Sequence, residues 1–300
     1  MKLFIVLCSL CLCCLSVRAD GKSGKRSPPP APVKAAFVID AKTGRVLYAY
    51  NEDVRTQPAS LTKMMTLLLT FRALRQGKIS LNSRLKISHN AAKQLPCKLG
   101  IKAGETITVR NAILALVTKS ANDIAVALGE FIGGCENTFV YMMNKEARRL
   151  GMTSTVFMNP SGWKNVRQLS TARDLSKLAR TLMREYPEYY RFFATKQFVY
   201  NRMVMRNHNK LVGPMEKGIV VDGIKTGYVT ASGYNLAASA KQKGNRLIAI
   251  VLGGETAKKR DEKVGKLLYA GFDELQKIQL AENVKQRKRK KRSSKKLVAM

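Results

Sequence analysis

The stretch SLTKMMTLLLTFRALRQG, residues 60–77, shows the clearest helical pattern in the sequence. Its apolar residues recur at three- and four-residue steps, and a glycine stands where a helix would end. The recurring positions are Leu61, Met64, Met65, Leu68 and Phe71. Two strand-like runs precede it, at 35–39 and 45–50, and the turn-rich loop 40–44 between them favours a hairpin. The chain is therefore predicted to pass from a hairpin into a helix that begins at Ser60.

Downstream, the sequence is mostly helical before it returns to strands. Helical periodicity predicts four helices, at about 109–118, 122–132, 137–150 and 171–184. Short apolar runs between glycines predict three antiparallel strands, at 218–226, 233–240 and 246–253. A last amphipathic helix over about 261–280 can cover one face of a sheet. We expect the hairpin and the C-terminal strands to join in one antiparallel sheet with the helices inserted between them, which is an α+β architecture.

The N-terminal residues 1–19 have the pattern of a secretory signal peptide. An uncharged apolar run of 13 residues follows Lys2 and leads to an ending that suits signal peptidase. This run is too short to span a bilayer, which needs about 20 residues. A buried N-terminal helix is the alternative, but linker composition follows abruptly. We therefore expect an exported protein that is divided into a signal peptide at 1–19, a Pro/Gly-rich linker at 20–33, a catalytic domain at 34–280 and a disordered basic tail at 281–300.

The charge balance is extreme for an enzyme. The chain carries a formal net charge of +34, and loss of Lys2 and Arg18 with the signal leaves +32. Nine cations lie between Lys285 and Lys296, in a run without an apolar face that we expect to be solvated. Its expected counter-surface is an anionic membrane or an acidic wall polymer, since each basic group near a charged membrane contributes about 1 kcal/mol. The signal peptide argues against nucleic acid as the partner.

Cysteine and histidine usage argues against a metal enzyme. Four of the six cysteines belong to the signal peptide, so that only Cys97 and Cys135 remain. These two could form one disulfide in an oxidising compartment or remain as two buried free thiols. No Cys/His cluster has zinc spacing, and His89 and His208 are far apart in the sequence. We therefore predict no metal and no cofactor.

Three short motifs of serine acyl-transfer enzymes occur in the chain: S-x-x-K, S-x-N and K-T-G. Such elements are far apart in sequence and converge in space. Each of them also has rival matches. The rivals are S-x-x-K at Ser83, Ser161 and Ser293, S-x-N at Ser80 and Ser88, and K-T-G at Lys42. The context of each match therefore has to select among them.

Ser60 is the S-x-x-K serine that begins a predicted helix. Its N–H would lie among the unpaired amides at the positive helix end, and Lys63 would lie one turn along on the same face. These features favour Ser60 as a nucleophile with Lys63 as its base. An ordinary helix N-cap is the alternative interpretation.

The other two motifs also have a favourable context. Ser120-Ala121-Asn122 lies at the junction of two apolar helical stretches, where a loop can present a hydroxyl and an amide to a cleft. Lys225-Thr226-Gly227 ends the apolar strand 219–224, and a glycine on an edge strand lets a substrate backbone come close. The K-T-G at 42–44 lies in the predicted hairpin turn, so we assign it to that turn only.

Taken in order, these motifs resemble the low-molecular-weight penicillin-binding proteins, the D-alanyl-D-alanine carboxypeptidases. The stretches that carry the resemblance are PASLTKMMT at 58–66, KSAND at 119–123 and DGIKTG at 222–227, supported by NPSG at 159–162, STARD at 170–174 and SGYN at 232–235. The similarity extends from about Ala35 to Leu268. It implies a β-lactamase/transpeptidase-like fold, peptidoglycan stem peptides as substrates and β-lactam antibiotics as inhibitors.

The resemblance also implies a role for each motif residue in the reaction. Ser60 would be acylated, Lys63 would take its proton, and the N–H groups of Ser60 and Tyr228 would form the oxyanion hole. Burial beside Lys225 would lower the pKa of Lys63 and so keep it neutral. Ser120 would relay a proton to the leaving amine.

Binding of the substrate is implied for the remaining motif residues. Asn122 would hold the substrate amide, and Lys225 and Thr226, next to Gly227, would bind the terminal carboxylate. Arg260 stands where the resemblance suggests a further carboxylate-binding arginine, although an exposed arginine without a role is the alternative. His208 occupies a segment that the family uses near its cleft, and we interpret it as a surface-loop histidine.

Other functions share parts of this pattern. A class A β-lactamase would need a glutamate before the second cleft element, and residues 154–173 contain no acidic residue. A non-catalytic wall-binding module would have no need of three intact motifs. The sequence leaves open whether the enzyme acts as a carboxypeptidase or as an endopeptidase on cross-links, because both cleave after D-alanine.

Overall fold

The computed structural model of this chain describes residues 33–163 and 165–298, with side chains as far as residue 286. The predicted signal peptide and residues 20–32 of the predicted linker lie outside the described residues. Within the described part there are ten strands: β1 (Ala35–Asp40), β2 (Val46–Tyr50), β3 (Arg84–Lys86), β4 (Thr106–Thr108), β5 (Gln197–Tyr200), β6 (Met203–Arg206), β7 (Gly213–Pro214), β8 (Val220–Val229), β9 (Gly233–Gln242) and β10 (Asn245–Gly254). The same part contains eight α-helices: α1 (Lys63–Arg75), α2 (His89–Ala92), α3 (Val109–Thr118), α4 (Asn122–Gly133), α5 (Glu136–Arg149), α6 (Ala172–Glu185), α7 (Pro187–Tyr190) and α8 (Ala257–Val298).

Six of the strands form one antiparallel sheet in the order β2-β1-β10-β9-β8-β7. The N-terminal hairpin joins the C-terminal strands because β1 pairs with β10, from Ala35 opposite Leu252 to Asp40 opposite Leu247. Strands β10, β9 and β8 then pair in succession as antiparallel neighbours. The predicted sheet and the α+β fold class are confirmed.

Successive side chains of β1 point to opposite faces of the sheet, and the two faces contribute to two separate hydrophobic cores. Phe37 and Ile39 belong to the core that the sheet shares with the inserted helices, whereas Ala36 and Val38 belong to the core beneath α8. Helix α8 contributes to the second core with Val264, Leu267, Leu268, Phe272 and Leu275. The predicted covering of one sheet face by the last helix is confirmed.

Helix α1 is more buried than its recurring apolar residues predict, because every residue from Lys63 to Phe71 is buried and only Arg72 and Arg75 in its last turn are not. It packs against α4, α5 and α6, and even Thr66 and Thr70 have no exposed surface. Their hydroxyls donate to the carbonyl oxygens of Pro160 and Thr66, respectively, so that no polar group of these two side chains is left unsatisfied. The start of α1 is therefore fixed by packing from several directions.

The last helix is longer than predicted. It begins at Ala257 and continues to Val298, through the residues for which the sequence predicts a disordered tail. A physical reason is that the residues after Gly271 include neither glycine nor proline and are rich in lysine, arginine and glutamine, which favour helices. Among the described residues, no helix combines the length and the apolar character needed to span a bilayer.

Candidate active site

Ser60 lies in a 3₁₀ turn, Ala59–Thr62, that leads directly into α1, so the α-helix begins three residues later than predicted. The backbone is sharply bent here, since Ala59 has a φ of 51°. Gly162 packs so closely against the turn that a Cβ would overlap the Ala59 carbonyl oxygen. The turn is thus clamped between α1 and the loop that carries Gly162, and it presents a half-buried Ser60.

Lys63 has no exposed surface, and three oxygen atoms surround its Nζ. It donates to Asn122 Oδ1 at 2.7 Å and to the Ser161 carbonyl oxygen at 2.6 Å, and it lies 2.9 Å from Ser60 Oγ. Burial, and next the positive charge of Lys225, hold the pKa of Lys63 well below its ordinary value. A neutral amine uses its two N–H groups for the two carbonyl oxygens. Its lone pair then remains for the serine hydroxyl, which can donate to it.

The loop between α3 and α4 supplies Ser120 and Asn122. Asn122 donates from Nδ2 to the Pro96 carbonyl oxygen at 2.7 Å, while its Oδ1 accepts from Lys63. Ser120 has a φ of 62° and is 5% exposed, and its hydroxyl has no hydrogen-bond partner among the described residues. Because a buried unpaired hydroxyl is unfavourable, we expect a bound molecule to supply its partner.

Strand β8 carries the K-T-G motif past the Ser60 turn. A Cβ on Gly227 would lie 3.0 Å from Pro58 O and 3.0 Å from Ser60 N. The sequence predicts that glycine at this position lets a substrate backbone come close. The structure shows a second reason for glycine here, because the Ser60 turn packs closely against this position. Tyr228, the next residue, has a half-exposed side chain that packs against Tyr234, with ring centroids 4.4 Å apart and the ring planes tilted by 36°.

Lys225 and Arg260 are both buried, at 1% and 3% exposure, respectively. The Nζ of Lys225 donates to the Thr226 carbonyl oxygen at 2.9 Å. Burial, helped by the positive charge of Arg260, lowers the pKa of Lys225 to about 7. Arg260 forms an ion pair of 2.8 Å with Asp261 and donates to the Asn235 carbonyl oxygen at 3.1 Å. The alternative of an exposed arginine at position 260 is therefore wrong.

A cavity of about 560 Å³ joins these groups. The predicted site residues that line it are Ser60, Ser120, Asn122, Thr226, Gly227, Tyr228 and Arg260. Lys63 and Lys225 lie buried behind this wall. The structure thus brings together all nine residues that the sequence singled out for the site, and the side chain of Ser60 reaches the cavity with a basic amine next to it.

Several residues that were not predicted as part of the site also line the cavity. Among them are Cys97, Trp163, Arg206, His208 and Lys210. His208 is exposed, as predicted for a surface loop, but it also faces the cavity. Partial desolvation at the cavity wall, and next the positive charge of Lys225, lower its pKa to about 4. The sequence did contain a signal for these residues, because basic residues alternate at 206, 208 and 210. Alternate positions of an extended segment share a face, so these side chains could have been predicted to lie on one side together.

The remaining cysteines are both free, and both are exposed. Both alternatives drawn from the sequence are therefore wrong, since the two cysteines form no disulfide with each other and neither thiol is buried. Among the described residues, no group of three or more histidine, cysteine, aspartate and glutamate side chains is placed to hold a metal ion.

We expect Gly162→Ala to lower the free energy of unfolding by more than the replacement of a glycine with a left-handed backbone conformation normally does. Gly162 has a φ of 85° and a Cβ there would strike the Ala59 backbone, whereas Gly134 has a φ of 78° and open space around it. The matched variant Gly134→Ala should cost about 1 kcal/mol. Denaturant unfolding of both variants measures the difference, and equal losses would show that the clamp on the Ser60 turn is unimportant for stability.

We expect Lys225→Met to raise the free energy of unfolding near neutral pH. In the folded protein the pKa of Lys225 is about 7, while in the unfolded chain it is about 10.4. Between these values unfolding takes up a proton, so the stability of the native protein falls as the pH is lowered from about 10 to 7. Removing the amine should therefore raise the free energy of unfolding by on the order of 3 kcal/mol at pH 7 and by little at pH 10. Urea unfolding at both pH values tests this, and a gain that does not change with pH would contradict it.

Comparisons with known proteins identify the family of this chain. The sequence profile of the D-alanyl-D-alanine carboxypeptidase family matches residues 23–256. The chain is 37% identical over 263 residues to the D-alanyl-D-alanine carboxypeptidase DacF of Bacillus subtilis, and this match covers 84% of the chain and 66% of the relative. The chain thus spans about two thirds of the length of that curated relative.

Solved structures show the same fold. Penicillin-binding protein 5 from Haemophilus influenzae superposes with a TM-score of 0.78 at 36% identity, covering 82% of this chain and 72% of that one. Penicillin-binding protein D2 from Listeria monocytogenes, in an ampicillin-bound form, has a TM-score of 0.72 at 32% identity and covers 80% of this chain and 97% of that one. With the motif residues gathered around one cavity, the chain belongs to the D-alanyl-D-alanine carboxypeptidase family of serine peptidases.

Proposed function

We propose that the protein is a serine-type D-alanyl-D-alanine carboxypeptidase that removes the terminal D-alanine from peptidoglycan stem peptides. The observation that carries this proposal is the buried Lys63 amine, 2.9 Å from the Ser60 hydroxyl at the wall of a cation-rich cavity. An amine with a lowered pKa can act as a base at neutral pH, which an ordinary lysine cannot do efficiently.

Acylation would begin with Ser60. Its oxygen attacks the carbonyl carbon of the penultimate D-alanine while Lys63 takes the hydroxyl proton. The N–H groups of Ser60 and Tyr228 receive the negative charge that develops on the carbonyl oxygen, and each such donor typically contributes about 10²- to 10³-fold in rate. The amide bond then breaks, and the unpaired hydroxyl of Ser120 relays the proton from Lys63 to the leaving amine.

Substrate orientation would depend on the residues around this centre. Asn122 donates to the substrate's amide carbonyl, and the terminal carboxylate lies against Thr226 and the buried cations Lys225 and Arg260. A water molecule then hydrolyses the Ser60 ester, so that a peptide shortened by one D-alanine is released. No metal or cofactor takes part in these steps.

We also propose that β-lactam antibiotics acylate Ser60 and that the resulting ester is hydrolysed slowly. The ampicillin-bound relative supports their recognition. Among the described residues that line the cavity there is no aspartate or glutamate, so there is no carboxylate of the kind that activates water in class A β-lactamases.

Two measurements test this function. Incubation with a pentapeptide that ends in D-alanyl-D-alanine should release one free D-alanine for each peptide. Penicillin should react in a burst of one equivalent followed by slow turnover. Rapid continuous penicillin hydrolysis without D-alanine release would instead identify a β-lactamase, and neither labelling nor release would indicate a binding module.

The basic C-terminal run supports a further proposal, which is reversible attachment of the exported protein to an anionic membrane or wall surface. Nine cations lie between Lys285 and Lys296, and they gain energy only from an anionic surface within about 8 Å at physiological salt. The signal-peptide pattern of residues 1–19 supports export.

Truncation after Asn283 should leave catalysis on a soluble peptide unchanged and reduce binding to anionic vesicles or isolated sacculi. Some binding should remain, because the rest of the chain is also strongly basic. Raising the salt concentration should release the intact protein in the same way. Equal sedimentation of the full-length and truncated proteins at low salt, or retention of the full-length protein in molar salt, would rule out an electrostatic tether.

A further inference from the structure

The hairpin of β5 and β6 has one buried face and one exposed apolar face. Phe198 and Met205 are paired across the two strands and are both buried. Val199 and Val204 form the next pair, so they point to the opposite face, where they are 57% and 58% exposed. Side chains paired in this way lie about 5 Å apart. The two valines therefore form one apolar patch on the outside of the protein.

The tip of the hairpin extends this patch. A two-residue turn closes the hairpin, and both of its residues, Asn201 and Arg202, have positive φ values, of 47° and 64°. Met203 follows the turn and is 50% exposed, and Arg202 is exposed beside it. The tip thus adds a third apolar side chain and a cation. Because strand pairing and a tight turn already fix the backbone, the hairpin can bind a surface with little loss of conformational entropy.

The charge around the patch is positive. Residues 189–215 include five lysine and arginine residues and no aspartate or glutamate. Among the described residues, none of these five cations forms an ion pair within 4.0 Å. The carboxylate of Glu105 lies near Tyr200, which packs against the core on the inward side of the hairpin. The exposed face therefore combines apolar side chains with cations that have no acidic partner.

We propose that the exposed face of the β5–β6 hairpin docks on an anionic lipid bilayer. Exposed apolar patches with a polar rim mark surfaces that bind a protein or a membrane. The charge favours a membrane, because an anionic bilayer offers negative head groups directly above an apolar layer and so matches valines flanked by unpaired cations. Three apolar side chains are too few to hold the protein without these charges, so the binding should remain sensitive to salt.

Docking by this face brings the active-site cavity to the membrane surface. Arg206 is the last residue of β6 and lines that cavity, and His208 and Lys210 line it too. The contact is separate from the one proposed for the basic C-terminal run, and it contributes to the binding that should remain after truncation at Asn283. It does not depend on the peptidase reaction, so that vesicle binding tests it without any measurement of catalysis.

Replacement of the valine pair tests the inference by vesicle binding. In the full chain, Val199→Ser/Val204→Ser should lower the partition onto vesicles of phosphatidylglycerol and phosphatidylethanolamine by about fivefold, because less apolar surface enters the bilayer. The matched control is Val54→Ser/Val220→Ser, which replaces two valines of 47% and 44% exposure outside the hairpin. The control should bind as the wild type does. Equal losses in the two variants, or no loss in either, would overturn the inference.

A tryptophan at the hairpin tip provides an independent test that requires no loss of binding. The chain has one tryptophan, Trp163, so the fluorescence of a second one is obtained by difference from the wild type. Met203→Trp should be quenched by brominated acyl chains in the anionic vesicles and its emission should shift to shorter wavelength, whereas Val54→Trp should show neither change. An unquenched tryptophan at position 203 would overturn the inference and point to a protein as the partner of the patch. Equally strong binding to neutral phosphatidylcholine vesicles would also overturn it, because the cations would then contribute nothing.

Discussion

Ser60→Ala abolishes both penicillin labelling and the release of terminal D-alanine, and this is the largest effect that we expect. The covalent intermediate cannot form without the hydroxyl, so the acylation rate should fall by on the order of 10⁴-fold or more. The fold should persist, because Lys63 keeps its hydrogen bonds to Asn122 and Ser161 when the hydroxyl is lost. Fluorescent penicillin labelling and detection of D-alanine measure the two losses.

The rival serines provide the controls for this experiment. Ser83→Ala and Ser161→Ala should keep their labelling, since the Ser83 hydroxyl bonds only within its own turn at Ser80 and Ser161 contributes its backbone carbonyl to Lys63. Labelling that survives in Ser60→Ala, or that disappears in Ser83→Ala, would show that the nucleophile has been wrongly assigned.

Lys63→Ala should stop acylation with the second-largest effect, about 10²- to 10⁴-fold, because the general base is removed. Weak binding of the substrate should remain, since the groups that face its carboxylate are unchanged. The variant will also be less stable, as the Asn122 and Ser161 carbonyl oxygens lose a buried donor. Stopped-flow acylation by penicillin and equilibrium binding of a D-alanyl-D-alanine peptide separate the two effects.

A second substitution at this position distinguishes basicity from structure. Lys63→Arg retains donors for the two carbonyl oxygens but remains protonated at all accessible pH values. It should therefore be as slow in acylation as Lys63→Ala while it binds the peptide. Acylation by Lys63→Arg at the wild-type rate would mean that another group accepts the proton of Ser60.

The sequence predicted most of the fold because its main elements are long and strongly patterned. The hairpin, the helices α3 to α6 and the strands β8 to β10 are confirmed to within a few residues. The short pairs β3–β4 and β5–β6 were not predicted, since three or four residues carry too little periodicity to be recognised. Helix α1 was predicted from its recurring apolar residues, but the burial of every residue from Lys63 to Phe71 depends on neighbours that its own pattern does not reveal.

By itself, the sequence determined the α+β class and the identities of the reactive side chains, because both are carried by local patterns and by three motifs in a fixed order. Only the tertiary structure decided what these side chains can do. The lowered pKa of Lys63 results from complete burial and from Lys225, 162 positions away in the chain. Likewise, Gly162 and Gly227 fix the Ser60 turn through contacts that depend on packing. Desolvation and close approach act through space, so they exist only once distant segments have been brought together.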